Sequence, residues 1–212
     1  MRIKNAQTQA RENYSAFFQS EAGKNNEEWP PVIDEFRKTL SINCDQALAL
    51  AQKHRDRALS VDILKFVVDT ARGGPSDHSA RAFAELQQYH STDTKLSEFL
   101  MQKYWISDFQ ETESLLRHIA RSHPDANQKG YAKYGLARLI MRRCEQKRNY
   151  LNEKCLTIKD ETAPCELAMS VDLDKADLEI REILKDLVTN HAEAPLGEID
   201  LLGEVGRIRH RR

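Results

Sequence analysis

The chain has 212 residues, 40% hydrophobic and 31% charged, with 32 basic side chains against 33 acidic ones. No stretch reaches the roughly 18 apolar residues of a membrane span. A formal charge of −1 lacks the basic excess expected of a nucleic-acid binder, so neither a transmembrane segment nor a nucleic-acid partner is expected.

The N-terminus, MRIKNAQTQARENY, has no apolar core of the kind a signal peptide needs. The chain is expected in the cytoplasm if Met1 is the native start. Residues 1–30 read as an N-terminal helix and linker, followed by a helical domain over 31–212. The few prolines and glycines fall between apolar-periodic segments, at Trp29-Pro30-Pro31, Gly73-Gly74-Pro75, Pro124, Pro164 and Pro195. Proline inside a helix costs about 3 kcal/mol, so helices should run between these points.

Phe36, Leu40, Cys44, Ala47, Leu48 and Ala51 recur at spacings of three and four, which predicts a helix with one buried stripe. Val61, Leu64, Val67, Val68 and Ala71 predict the next. Segments 77–89 (Ala80, Phe83, Ala84, Leu86) and 94–104 (Leu96, Phe99, Leu100, Tyr104) follow. Ser107-Asp108-Phe109-Gln110 reads as a capping box opening a helix with Leu115, Leu116, Ile119 and Ala120. Residues 128–146 carry Ala132, Leu136, Leu139, Ile140 and Cys144. Leu173, Ala176, Ile180, Ile183, Leu184, Leu187 and Val188 form another stripe, and a last helix is expected over 197–209. Strictly alternating β-branched runs are absent. The fold class is therefore all-α, with antiparallel helix pairs joined by short connections.

One short phrase recurs. His54-Arg-Asp56, His90-Ser-Thr-Asp93, His123-Pro-Asp125 and His191-Ala-Glu193 each close a helical segment. The intervals are 36 (54 to 90), 33 (90 to 123) and 68 (123 to 191). Tetratricopeptide repeats have a period of about 34 residues, so stacked pairs in a right-handed superhelix are expected, with an irregular bundle as the alternative. Dipole and capping preferences explain the residue types at these ends but not their even spacing. The full repeat signature is not kept. The unit at 123–144 comes nearest, with Leu136 and Ala137 where the motif has Leu-Gly.

If the repeat holds, the first helix of that unit should present Tyr131, Tyr134, Arg138 and Arg142 on a concave face, suited to a protein or peptide partner. The plainer reading is that they cover neighbouring helices and form a solvated edge. Cys44 and Cys144 lie on apolar stripes and read as buried hydrophobes. Cys155 and Cys165 lie in 148–172, a long segment without helical period, where they form either a disulfide staple or two free thiols. No second cysteine pair completes a zinc site. No catalytic, phosphate-binding or metal motif is present, so no cofactor, no metal and no enzymatic activity are expected.

In order, the segments ALALAQKHRDRALSVDILKFVVDTARGGP, LQQYHSTDTKLSEFLMQ, ESLLRHIARSHPDANQKGYAKYGLARLI and KADLEIREILKDLVTNHAEAPLGEIDLLGEVGRIRHRR resemble the N-terminal helical region of bacterial, planctomycete-type proteins carrying a thioredoxin/TlpA-like redoxin domain. The resemblance covers residues 30 to 212. It implies a location in the cell envelope or periplasm and a redoxin domain following Arg212. The chain has no Cys-x-x-Cys, so thiol–disulfide activity does not carry over to these residues. The expected role is a non-enzymatic scaffold or protein-interaction module. The alternatives are a redox-linked module using Cys155–Cys165 and a ligand-binding helical domain.

Overall fold

The structure is a computed structural model, described over residues 2–19, 29–70, 76–94, 96–102, 110–151 and 169–191. These residues form eight helices: α1 (Arg2–Gln19), α2 (Trp29–Lys53), α3 (Ala58–Thr70), α4 (Ser76–Tyr89), α5 (Leu96–Gln102), α6 (Gln110–Ser122), α7 (Ala126–Leu151) and α8 (Leu173–Asn190). No strand occurs among them, and the class is all-α. None of these helices is long and apolar enough to cross a membrane. Ser107, Cys155, Cys165 and the expected helix at 197–209 lie outside the described residues.

The chain divides into two compact units, Met1–His90 and Ser91–Arg212. In the first, α1 packs along α2, so the N-terminal helix is an integral part of this unit. Helices α2, α3 and α4 pack on one another around Leu40, Leu48, Leu64, Val67, Phe83 and Leu86. Trp29-Pro30-Pro31 does not precede α2 but forms its first turn. Proline is tolerated there because the first N–H groups of a helix have no intrahelical acceptor. In α4 the buried stripe runs through His78, Ser79, Ala82, Phe83 and Leu86, whereas Ala84 is exposed. Alanine is too small to reveal the phase of a stripe, and the polar His78 and Ser79 hid it further.

In the second unit α7 is the common platform: α5, α6 and α8 all pack against it. Buried positions accordingly wrap most of its circumference, from Ala132 and Tyr134 through Leu136, Ala137, Leu139 and Ile140 to Cys144. The phrase Ser122-His123-Pro124-Asp125 makes the bend between α6 and α7. Ser122 Oγ donates to the His118 carbonyl at 2.7 Å, and the Asp125 N–H donates to His123 Nδ1 at 3.0 Å. Asp125 Oδ1 then accepts the N–H groups of Asn127 and Gln128, a helix cap that contributes about 1 kcal/mol.

Helix α7 also runs farther than its apolar pattern suggests, to Leu151, so the segment 148–172 begins helical. The extra turn is held from outside. Lys147 Nζ donates to the carbonyls of Met169 and Val171, and Arg148 pairs with Asp177 on α8. Asp172 opens α8 by accepting the Lys175 N–H.

Three of the four phrase histidines share one local geometry. The N–H groups of His90, His123 and His191 donate to the carbonyls of Leu86, Ile119 and Leu187, each at 3.0 Å and each four residues back. His54 differs, donating three residues back to Ala51 in a tighter turn. The ring partners also differ. His90 Nε2 meets Ser60 Oγ at 3.2 Å, and that hydroxyl in turn donates to the Ala51 carbonyl.

Candidate functional site

Because α6 and α8 both rest on α7, the second unit has an open cleft of ≈ 280 Å³ between them. Ala120, Leu136 and Ile183 form its apolar floor, one residue from each helix. Arg117 and Arg121 stand on the α6 side and Lys133 on α7, with Glu179, Glu182 and Asp186 on the α8 side. One rim is therefore basic and the other acidic.

Most of these charges are tied to each other. Arg117 contacts Glu113 through Nε at 2.8 Å and Nη2 at 2.7 Å, and reaches across to Glu179 through Nη1 at 2.5 Å. Behind it, Arg143 of α7, only 6% exposed, donates to the other Glu113 oxygen at 2.5 Å. The result is a chain, Arg143–Glu113–Arg117–Glu179, that links α7, α6 and α8. At the other end of the cleft, Lys133 donates to Asp186 at 2.5 Å and to His191 Nε2 at 3.0 Å. Arg121 and Glu182, both exposed, complete the charged lining.

Burial works against the Glu113 carboxylate, yet Arg117 and Arg143 hold it below the usual carboxylate range. Lys133 holds Asp186 below that range, assisted by Asn190. Glu179 in turn raises the Arg117 guanidinium. A lowered folded-state acid pKa means that the unfolded chain takes up protons first as the pH falls. The stabilisation is thus fully present above the unfolded carboxylate value, about 4.3 for glutamate, and is lost as the pH drops through the folded one. Asp45 and Glu85 of the first unit, lowered chiefly by Arg81 and Arg55, act with the same sign. Melting curves followed by circular dichroism are expected to lose midpoint steadily below about pH 4.5, with a shallower slope in Glu113→Gln. An equal slope in the variant would exclude Glu113 as a contributor.

Among the residues singled out from the sequence, Tyr134 is 2% exposed and belongs to the core. This corrects its placement on an open face: α7 has neighbours on three sides, not one. Tyr131 and Arg142 are half-buried, and Arg138 is exposed, its guanidinium carbon 5.8 Å from the Tyr134 ring centroid. At about 100° per residue these four share one side of α7, and Lys133 and Leu136 lie on the other. The cleft is therefore on the side of the helix opposite the one that repeat spacing indicates. The signal that marks it is the i, i+4 pair Arg117/Arg121 together with Glu179, Glu182 and Asp186 at i, i+3 and i+7.

No family model, curated protein or solved structure matches this chain. The local chemistry therefore has to speak for the site. No group of three metal-ligating side chains occurs among the described residues. Cys44 and Cys144 are free thiols buried in the two units. Burial, with Asp45 beside it, pushes the Cys44 thiol up to about 11, and burial likewise raises Cys144, so neither is an activated nucleophile. In the first unit the polar clusters tie α2 and the turn that follows it to α4. Glu85 receives Arg55 at 2.6 and 2.8 Å and Gln52 at 3.2 Å, and Arg55 lies 4.3 Å from the Tyr89 ring centroid. Asp45 receives Arg81 at 2.9 Å, with buried His78 at 3.3 Å.

Proposed function

We propose that the protein is a non-enzymatic helical scaffold that holds a protein or peptide partner in the cleft between α6 and α8. The observation that carries this reading is an apolar floor between rims of opposite charge, with most of the rim already fixed by ion pairs. Side chains held in place before binding lose less conformational entropy when a partner arrives. An apolar side chain of the partner would sit over Leu136 and Ile183, with its charged neighbours meeting Arg121 and Glu182. A tetratricopeptide-like arrangement is part of the proposal, supported by the recurring histidine phrase and its near-34-residue spacing. Association with a redoxin domain rests on the sequence resemblance alone.

The test is a charge reversal on the rim. Arg121→Glu with Glu182→Lys changes two exposed side chains and is expected to leave the circular dichroism spectrum and melting midpoint unchanged. Capture of partners from extract by the immobilised protein, quantified by mass spectrometry, should fall at least about tenfold for specific partners, as expected when paired charges become like-charge contacts. Arg138→Glu, on the opposite side of α7, should leave capture intact. The reverse pattern would move the interface to the Tyr131–Arg142 face and overturn the cleft assignment.

A further inference from the structure

The cleft has a direction as well as a charge. Glu113, early in α6, pairs with Arg143, late in α7, while Ser122 closes α6 at the bend into α7, so these two helices run antiparallel. Helix α8 is tied to α7 by Arg148–Asp177 towards one end and Lys133–Asp186 towards the other, so it too is antiparallel to α7. Helices α6 and α8 therefore run the same way. The Arg117–Glu179 pair sets their register and brings Arg121 level with Ile183, beside Glu182. Both charged residues are exposed, one on each wall, with the apolar floor of Ala120, Leu136 and Ile183 between the walls. Two ion pairs bound this stretch, Arg117–Glu179 across the cleft and Lys133–Asp186 beyond it. Along α8 they are seven residues apart (179 to 186), about 10 Å of helix. The volume of ≈ 280 Å³ is at the bottom of the range of pockets that enclose small ligands, and the cleft is open, which suits an inserted side chain.

We infer that the occupant is a helix of the partner, which inserts one apolar side chain between the two ion pairs and carries acidic residues on its α6 flank and basic residues on its α8 flank. This rests on the cleft being the binding site and names what fits it. An extended strand sends successive side chains to opposite faces, so the neighbours of an inserted residue point away from both walls. A helix behaves differently. At about 100° per residue, the positions four before and three after the inserted residue fall on one side of it, and those three before and four after fall on the other. Charges sorted by side then offer a carboxylate to Arg121 and a cation to Glu182. Turning a helix end for end exchanges its two sides. Swapping every flanking acid for a base, and the converse, therefore reverses the direction in which the helix lies and does not abolish binding. Acids and bases mixed on each side suit neither direction.

The test uses the full-length protein and three stapled peptides of one composition, stapled because short isolated helices are marginal in water. Each has a central leucine flanked by two glutamates and two lysines: sorted by side, sorted with the charges swapped, or mixed. Fluorescence anisotropy measures affinity. A nitroxide at the peptide N-terminus, read as broadening of the protein's amide resonances, reports direction. The sorted and swapped peptides are expected to bind at least about fivefold more tightly than the mixed one. They should broaden opposite ends of α8, the Leu173 end in one case and the Asn190 end in the other. Equal affinity for all three peptides, or broadening at the same end or away from the cleft, would overturn the inference. If none of the three binds while Arg121→Glu with Glu182→Lys still lowers partner capture, the helical occupant falls and the cleft reading stands. If none binds and capture is also unchanged in that variant, both fall.

Discussion

Glu113→Ala is expected to destabilise the second unit by about 3 kcal/mol, the loss typical of removing one partner from a buried ion pair. The reason lies less in the exposed end of the network than in Arg143. That guanidinium is buried on α7 and donates to Glu113 Oε2, so removing the carboxylate takes a short ion pair from a positive charge held away from water. Arg117 suffers less, because it keeps Glu179. The double variant Glu113→Leu with Arg143→Leu removes the buried positive charge as well and should recover most of the loss, since apolar replacements of buried pairs are often neutral. Urea denaturation followed by circular dichroism measures both. A single variant as stable as the parent would show that the network does not bear on stability.

Phe83→Ala is expected to cost the first unit about 3–5 kcal/mol, through lost burial and the cavity left behind. Phe83 is 1% exposed on α4, among the helices that pack on one another there. Its neighbour Ala84 faces solvent, so Ala84→Ser should stay within about 0.5 kcal/mol. The contrast between adjacent positions tests the phase of the α4 stripe directly. Comparable losses at both, in thermal or urea melts, would mean that the stripe lies elsewhere.

Most of the helices were legible because their apolar residues are large and regularly spaced. Leu40, Leu48, Leu64, Leu116, Ile119, Ile180 and Leu187 are all buried at the places their periodicity indicates. Legibility failed where the deciding contact is between segments distant in sequence. The extension of α7 to Leu151 depends on carbonyls at Met169 and Val171, and no local propensity announces that. Tyr134 failed for a related reason. A helix read alone has one buried side, whereas α7 has three neighbours, and residues that look like an outward aromatic–arginine face are partly enclosed. The cleft was hidden because it needs α6 and α8, some sixty residues apart, to stand on the same helix. Its charges look like ordinary solvated faces until Arg117 is seen reaching Glu179.

The dependence of α5, α6 and α8 on α7 also bears on how the second unit can yield. A ring of helices that brace one another opens as a whole, whereas spokes on a common axle can loosen one at a time. Here the axle is the longest helix described, and two of its spokes form the walls of the cleft. The Arg117–Glu179 pair is then a latch across the mouth. Releasing it would let one wall swing outward while the axle keeps its hold on the rest. On the proposed reading, a cleft hung in this way takes guests of different girth without unravelling the unit that carries it.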